Sequence, residues 1–147
     1  MDSMVKHILI ADDDEDDRML FADALRQVSQ VTDLSIATDG VELLRMLRLA
    51  ASLPDVIFLD LNMPGKNGFD SLKEIKNDPT LHRLPVIIFT TTANHKTIDQ
   101  MYALGAQYYI QKPSDFEVLK SLIGRILSAG VEGTSSSRTE FIKYMHE

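Results

Sequence analysis

Short hydrophobic segments rich in β-branched residues alternate along the chain with longer amphipathic segments. Three of the short segments are apolar almost throughout, which is typical of strands buried on both faces of a parallel sheet. The longer segments carry apolar residues at helical spacing, and dipeptides containing Pro or Gly fall between the segments. The predicted strands are His7–Ala11, Leu34–Ala37, Val56–Leu59, Val86–Thr90 and Tyr108–Ile110.

The spacing of the predicted strands indicates the fold class. The strands begin roughly 20–30 residues apart, which is the length of one strand followed by one helix. Five such units predict an α/β fold, a doubly wound (βα)₅ domain whose five-stranded parallel sheet has helices on both faces. In the first helix the periodicity predicts a buried stripe made of Met19, Leu20, Leu25 and Val28.

The pattern changes after Ala129. Gly130, Gly133 and Ser135–Ser137 indicate a flexible linker. The last ten residues contain several apolar side chains and predict one or two helical turns. We therefore expect a folded domain over residues 1–129, followed by a linker and a short tail over residues 130–147. We expect the tail to be frayed or loosely docked; the alternative is a segment that binds a partner or the domain itself.

Composition restricts the classes of function. The chain has no Cys, which excludes disulfides, thiolate zinc sites and cysteine nucleophiles. Fifteen basic and 22 acidic residues give a formal charge of −7, and no Lys/Arg cluster is present, so we expect no nucleic-acid partner. No apolar run approaches the roughly 18 residues of a membrane span, so we expect no membrane association and a location in the cytoplasm.

Polar residues come directly after four of the predicted strands. Asp12 and Asp13 follow the first strand, and Asp60 follows the third. Thr90 ends the fourth strand and Lys112 lies just after the fifth. Because the carboxyl ends of parallel strands meet at one edge of a sheet, we expect these side chains to lie together. Three clustered carboxylates need a cation, and oxygen ligands alone favour a hard divalent ion, Mg²⁺ best of all.

This set of groups predicts phosphoryl transfer. A carboxylate beside Mg²⁺ can attack a phosphoryl group and become an aspartyl phosphate. The charge that spreads over the transferred group would be met by the metal ion, the Lys112 ammonium and the Thr90 hydroxyl. Each residue alone has an ordinary explanation. The acidic residues 15–17, for example, suit the positive end of a helix dipole. The prediction depends on the convergence of the strand-end residues at one edge of the sheet.

Four segments between residues 6 and 127 resemble the motifs of two-component response-regulator receiver domains. ILIADDD resembles the first strand and acidic pair, and LDLNMPGKNG resembles the phosphoacceptor motif. VIIFTTT ends at the family's hydroxyl position, and YYIQKP carries its lysine and proline. The chain resembles the stand-alone chemotaxis regulator, and its FTTT segment and the following loop are more similar to stand-alone receivers that serve phytochrome-type histidine kinases.

The resemblance implies a flavodoxin-like sheet of strand order 2-1-3-4-5 and a role for each matching residue. It also implies a bound Mg²⁺ as the cofactor and a cis peptide bond after Lys112. The implied roles are Asp60 as the phosphoacceptor; Asp12, Asp13, Asp60 and the backbone carbonyl of Asn62 as the protein ligands of Mg²⁺; Thr90 and Lys112 as the groups that contact the phosphoryl oxygens; and Thr90 and Tyr109 as the switch residues.

The resemblance also implies the partners. A sensor histidine kinase or a histidine phosphotransferase would donate the phosphoryl group, and an unidentified protein effector would receive the signal. The fourth helix, fifth strand and fifth helix would form the readout surface, and a homodimer could form through the same face. The residues expected to offer contact area there are Met101, Tyr102, Tyr108 and Tyr109.

Two other functions fit part of the pattern. A Mg²⁺-dependent phosphohydrolase of the haloacid-dehalogenase kind also forms an aspartyl phosphate, but it needs a D-x-D pair where this chain has Asn62, and it needs room for a cap domain. A flavodoxin-like FMN carrier needs a phosphate loop rich in hydroxyls and Gly, where this chain has six consecutive acids. We therefore expect a switch, not an enzyme, with self-phosphorylation from a donor and autodephosphorylation as its only reactions.

Overall fold

The computed structural model describes residues 5–131 and 137–145 and contains one five-stranded parallel sheet of order β2-β1-β3-β4-β5. The predicted fold class and strand order are confirmed. The strands are β1 (His7–Ala11), β2 (Asp33–Ala37), β3 (Val56–Leu59), β4 (Val86–Thr90) and β5 (Tyr108–Gln111). The helices are α1 (Glu15–Val28), α2 (Gly40–Leu49), α3 (Gly68–Asn77), α4 (His95–Ala103), α5 (Phe116–Ala129) and α6 (Arg138–Phe141).

Helices cover both faces of the sheet, and a hydrophobic core lies on each side. Helices α1 and α5 pack on one face, and α2, α3 and α4 pack on the other. Strands β3 and β4 are buried along their whole length, as their continuous apolar sequences predict. On the α1–α5 face, the rings of Phe21, Phe58 and Phe89 meet edge to face with centroids 4.9 to 5.9 Å apart.

The predicted apolar stripe of α1 is wrong in most of its members. Met19 is 58% exposed and Leu20 is 47% exposed. The side chains that α1 buries are Phe21, Ala24 and Leu25, which are spaced three and four residues apart and pack against the sheet and α5. The helix therefore faces the core with a neighbouring side, and Met19 and Leu20 point to solvent.

Each of the helices α1 to α5 begins with an Asp or Asn side chain that accepts a backbone N–H of the first turn. Such N-caps stabilise a helix by about 1 kcal/mol and set where it begins. Since every one of these helices follows a strand by a short loop, their N-termini lie at the carboxyl edge of the sheet. The capping residues are Asp14, Asp39, Asn67, Asn94 and Asp115.

Residues 137–145, called the C-terminal segment below, pack against the sheet. Phe141 is fully buried and Tyr144 is 4% exposed. These residues therefore dock onto the domain, which is the alternative to a frayed tail. Most of the predicted linker, residues 132–136, lies outside the described residues. The domain bounds 1–129 and 130–147 stay a prediction.

Two further expectations differ from the structure. No peptide bond among the described residues is cis, so the expected cis bond between Lys112 and Pro113 is wrong; the trans form is the intrinsically favoured one, by about 0.5–1 kcal/mol for X–Pro bonds. Met101, Tyr108 and Tyr109, expected to offer contact area, are buried. No helix in the described ranges is long and apolar enough to span a membrane.

Candidate functional site

The pairing of β1 with β3 places two carboxylates side by side. Ala11 is the register partner of Leu59, so the residues that follow them, Asp12 and Asp60, leave the sheet at the same level. The Asp60 N–H donates to the Ala11 carbonyl at 2.9 Å, which continues the ladder by one step beyond β3. Both aspartates are buried.

The pairing of β4 with β5 brings the hydroxyl and the ammonium to the same edge. Thr90 is the register partner of Gln111, and the next residue, Lys112, donates its backbone N–H to the Thr90 carbonyl at 2.8 Å. Thr90 is fully buried, and the Lys112 side chain is 8% exposed. The structure therefore brings together the strand-end residues that the sequence predicts to converge.

Three carboxylates form a cluster at this edge. One oxygen from each of Asp12, Asp13 and Asp60 lies within 4.8 Å of the other two. Asp13 is exposed, whereas its two neighbours are buried, so the cluster opens to solvent on one side. Oxygen donors at this spacing, with one open side, suit a hard divalent cation that keeps some of its waters.

The Lys112 ammonium is shared by three carboxylates. Its Nζ lies 2.7 Å from Asp12 Oδ2, 2.7 Å from Asp17 Oδ2 and 3.1 Å from Asp60 Oδ2. Burial alone would lower the pKa of Lys112, but its close contacts with Asp12 and Asp17 and the charge of Asp60 raise that pKa above its usual value. Lys112 therefore stays charged. The contact with Asp17 is one that sequence reasoning missed.

Of the two buried carboxylates in the cluster, Asp12 is the less satisfied. Burial raises the pKa of Asp12 to about 6, although Lys112 and the backbone N–H of Asp14 both lower it. Its Oδ1 accepts the Asp14 N–H at 2.9 Å. Its Oδ2 is buried, and it is ion-paired with Lys112 but receives no well-directed hydrogen bond. A second cation beside Lys112 would satisfy this oxygen, so the residues present fit a divalent metal ion.

A chain of polar contacts links Asp60 to the loop after β4. The backbone N–H of Asn62 donates to Asp60 Oδ1 at 3.3 Å, and its side-chain amide donates to the hydroxyls of Thr92 and Thr90 at 3.2 and 3.4 Å. The Tyr109 hydroxyl donates to the Thr92 carbonyl at 2.7 Å. Burial, with a smaller effect from Asp60, raises the pKa of Tyr109 to about 12. Its ring is fully buried.

The loop after β3 folds tightly beneath Asp60. Gly68 donates its N–H to the Leu61 carbonyl at 3.1 Å. A Cβ on Gly68 would lie 2.2 Å from the Asp60 carbonyl oxygen and 2.8 Å from Leu61 Cα, so only glycine fits there. Gly65, earlier in the same loop, has a φ of 70°, which glycine adopts without strain. These two glycines allow the loop to hold Asp60 in place.

Chemically, the edge combines a nucleophile with the groups that a phosphoryl group requires. The Asp60 carboxylate lies beside a fixed ammonium and at the end of a hydrogen-bonded chain that includes a buried hydroxyl. The carboxylate cluster can hold a metal ion next to it. Such a site can accept a phosphoryl group on Asp60 and bind the new charge.

Comparison with known proteins finds a family model and a relative that match most of the chain. A family model described as the response regulator receiver domain matches residues 8–124. The response regulator Rcp1 of Synechocystis sp. is 31% identical over 132 residues, which cover 86% of this chain and 90% of Rcp1.

Solved structures are similar over the same length. The phosphorylated cyanobacterial phytochrome response regulator RcpA is similar with a TM-score of 0.76 and 35% identity, covering 82% of this chain and 90% of that chain. The Mn²⁺-bound form of Rcp1 is similar with a TM-score of 0.75 and 31% identity, covering 84% of this chain and 92% of that chain. The likeness therefore extends over most of the chain in both sequence and structure.

Proposed function

Since the chain belongs to the response regulator receiver domain family, and is thus a phosphorylatable switch of two-component signalling, we propose that Asp60 accepts the phosphoryl group. The donor is a sensor histidine kinase or a histidine phosphotransferase. The observation that carries the proposal is the buried Asp60 carboxylate, held 3.1 Å from the Lys112 ammonium at the edge where the carboxylate cluster lies.

The transfer is an in-line displacement. An Asp60 carboxylate oxygen attacks the phosphorus of the donor's phosphohistidine; the O–P bond forms, the N–P bond breaks and the imidazole leaves. The Lys112 ammonium pairs with one phosphoryl oxygen and the Thr90 hydroxyl donates to another. The product carries about −1.5 to −2 charges and three acceptor oxygens in place of one carboxylate charge.

The cofactor proposed for this reaction is Mg²⁺. Asp12, Asp13, Asp60 and the backbone carbonyl of Asn62 would hold it. When bound, the ion supplies the positive charge that neutralises the carboxylates and the phosphoryl oxygens. The buried Asp12 Oδ2 without a well-directed hydrogen bond supports this assignment, as does the Mn²⁺ bound to the related Rcp1.

The response to phosphorylation proceeds through Thr90 and Tyr109. The Thr90 hydroxyl moves toward a phosphoryl oxygen and leaves its contact with the Asn62 amide. The loop after β4 follows, and the Tyr109 hydroxyl is bonded to that loop at Thr92. The changed surface is that of α4, β5 and α5, which contacts a protein effector or a second copy of the chain. The similarity to the phytochrome response regulator RcpA supports a phytochrome-type kinase as the donor.

Phosphoryl labelling tests the proposal. The protein is treated with acetyl phosphate and Mg²⁺, and the added mass is located by mass spectrometry. We expect one phosphoryl group in the unmodified protein and none in Asp60→Asn. Asp70→Asn is the matched control because Asp70 is an exposed carboxylate ten residues away, and it should label fully. Equal labelling of Asp60→Asn would place the acceptor elsewhere.

A further inference from the structure

The C-terminal segment crosses the exposed edge of the sheet at β5. Phe141 belongs to the core on the α4 face, and Tyr144 belongs to the core on the α5 face. Because β5 is an edge strand, the segment covers the edge of the sheet and contacts both of its faces. The surface that it covers is formed by α4, β5 and α5, the same face through which the proposed function sends its signal.

Phe141 packs against two tyrosine rings. Its centroid lies 5.3 Å from that of Tyr102 on α4 and 6.1 Å from that of Tyr109 on β5, edge to face in the second case. Tyr109 is the residue whose hydroxyl bonds to the Thr92 carbonyl. Phe141 therefore packs directly on the ring that the proposed switch moves.

Tyr144 packs against a second site, on the other side of β5. Its ring meets Tyr108 edge to face at 4.9 Å, and the Arg125 guanidinium of α5 lies over it at 5.3 Å. Tyr144 and Met145 also line a cleft of about 290 Å³ together with Lys112 and Pro113. The end of the segment thus adjoins the loop that carries the phosphate-pairing lysine.

An ion pair fixes the start of the segment. Arg138 Nε donates to Asp99 Oδ1 of α4 at 2.9 Å. Arg138, Phe141 and Tyr144 follow one another at intervals of three residues, so one side of a single helical turn and its continuation makes all three contacts. To cover an edge strand, a segment only has to block further strand pairing. Here the segment also fits two aromatic rings against the face and forms an ion pair with it, and such specific contacts are features of a peptide-binding surface.

We propose that the α4–β5–α5 face binds a short peptide with a basic residue and two aromatic residues at successive intervals of three, and that the chain's own residues 137–145 fill this surface. The effector of the switch carries a peptide of the same chemistry and competes with the C-terminal segment. The identity of the face as the output surface rests on the proposed function, whereas the competition itself does not require phosphate.

Peptide binding to the full-length protein tests the competition. A fluorescently labelled peptide with the sequence of residues 137–145 is titrated with each variant, and its anisotropy is measured. The peptide should bind Phe141→Ala about tenfold more tightly than it binds the unmodified protein, because truncating an aromatic anchor weakens the internal competitor by that order. Thr139→Ala is the matched control, since Thr139 is exposed, and it should bind like the unmodified protein.

A charge exchange checks the same surface without touching the core. Arg138→Asp should also expose the site, with a gain of a few-fold because the ion pair is exposed. Asp99→Arg alone should repel Arg138 and the original peptide, and it should bind more tightly a peptide in which the arginine is replaced by aspartate. Both results can be obtained even if Phe141→Ala does not fold, because neither variant changes a buried residue.

Two results would overturn the proposal. One is a folded Phe141→Ala or Arg138→Asp that binds the peptide no better than the unmodified protein does. The other is exchange of the segment between two copies, seen as a dimer that Phe141→Ala dissociates, because the competitor would then be a second molecule. Labelling of Asp60 is measured in the same samples: failure of labelling with intact competition would reject the proposed function alone.

Discussion

Lys112 shows how much of the site depends on single side chains. Its ammonium contacts carboxylates from three elements, and two of them, Asp12 and Asp60, lie at predicted strand ends. The third, Asp17, lies in the first turn of α1, where the sequence predicts charge that suits the helix dipole. Side chains on a helix tilt toward its N-terminus, so a first-turn residue of a helix that starts at this edge can point back into the site.

Asp17 should weaken the phosphorylated state. It competes with the phosphoryl group for Lys112, and its negative charge repels the transferred group. We expect Asp17→Asn to raise the fraction of protein that acetyl phosphate labels at steady state by about 1.5- to 5-fold, the range for a partly exposed ion pair of about 0.2–1 kcal/mol. Intact-mass spectrometry gives the labelled fraction.

Asp16→Asn controls for the loss of one charge from the first turn of α1, because Asp16 is exposed and lies one residue away. It should leave the labelled fraction unchanged. A lower labelled fraction in Asp17→Asn would mean instead that Asp17 is needed to hold Lys112 in position for the reaction.

Among the elements, the β3–α3 connection positions Asp60, the proposed acceptor. Asp60 directly follows β3, Asn67 caps α3, and Gly68 folds back on the Asp60 carbonyl. The motif that resembles the receiver family predicts the residue types here. The reason for glycine is visible only in the structure, where the missing Cβ leaves room for a backbone oxygen 2.2 Å from its position.

A side chain at Gly68 should therefore disturb both stability and the site. We expect Gly68→Ala to lower the free energy of unfolding by about 1–3 kcal/mol or more, the usual range for overpacking, and to reduce labelling of Asp60. Urea unfolding followed by circular dichroism gives the first quantity.

The matched control is Gly124→Ala in the middle of α5. A Cβ there would meet only a methyl group of Val28, at an ordinary 3.9 Å. Because Ala is the better helix former, we expect a gain of about 0.5–1 kcal/mol and normal labelling. Equal effects of the two substitutions would show that the close approach at Gly68 does not constrain the loop.

For the whole molecule, the charge balance at one edge couples stability to metal. The chain carries a formal charge of −7, and the site gathers Asp12, Asp17 and Asp60 around one ammonium, with Asp13 next to Asp12 and Asp60. Repulsion among these groups opposes folding, and a bound cation offsets it. An ion that binds only the folded state stabilises it by an amount that grows with its concentration.

Mg²⁺ should therefore raise the unfolding temperature of the protein. At a hundredfold excess over its dissociation constant, the expected gain is about 2.7 kcal/mol at 25 °C. In Asp13→Asn most of this gain should disappear, because one ligand is lost. In chelator the same variant should be at least as stable as the unmodified protein, since one repelling charge is gone. Differential scanning calorimetry measures both, with Asp16→Asn as the control. A full Mg²⁺ gain in Asp13→Asn would contradict the ligand assignment.

The sequence alone determined the strands and the edge where the chemistry lies. Apolar runs such as Val56–Leu59 mark buried parallel strands, and in such a sheet the residues after the strands must meet. The sequence alone therefore places Asp12, Asp60, Thr90 and Lys112 together. The prediction succeeds because strand periodicity depends only on neighbouring residues, and because parallel strands all place their carboxyl ends at the same edge of the sheet.

The tertiary structure decided which side chains meet across distant elements. Asp17 reaches Lys112 across 95 positions of the chain, α1 buries a different side from the one its periodicity suggests, and Phe141 covers Tyr109. These outcomes depend on how helices rotate and dock, and docking depends on the summed shape and charge of surfaces that form only after the chain has folded. No local sequence pattern contains information on that combined shape and charge.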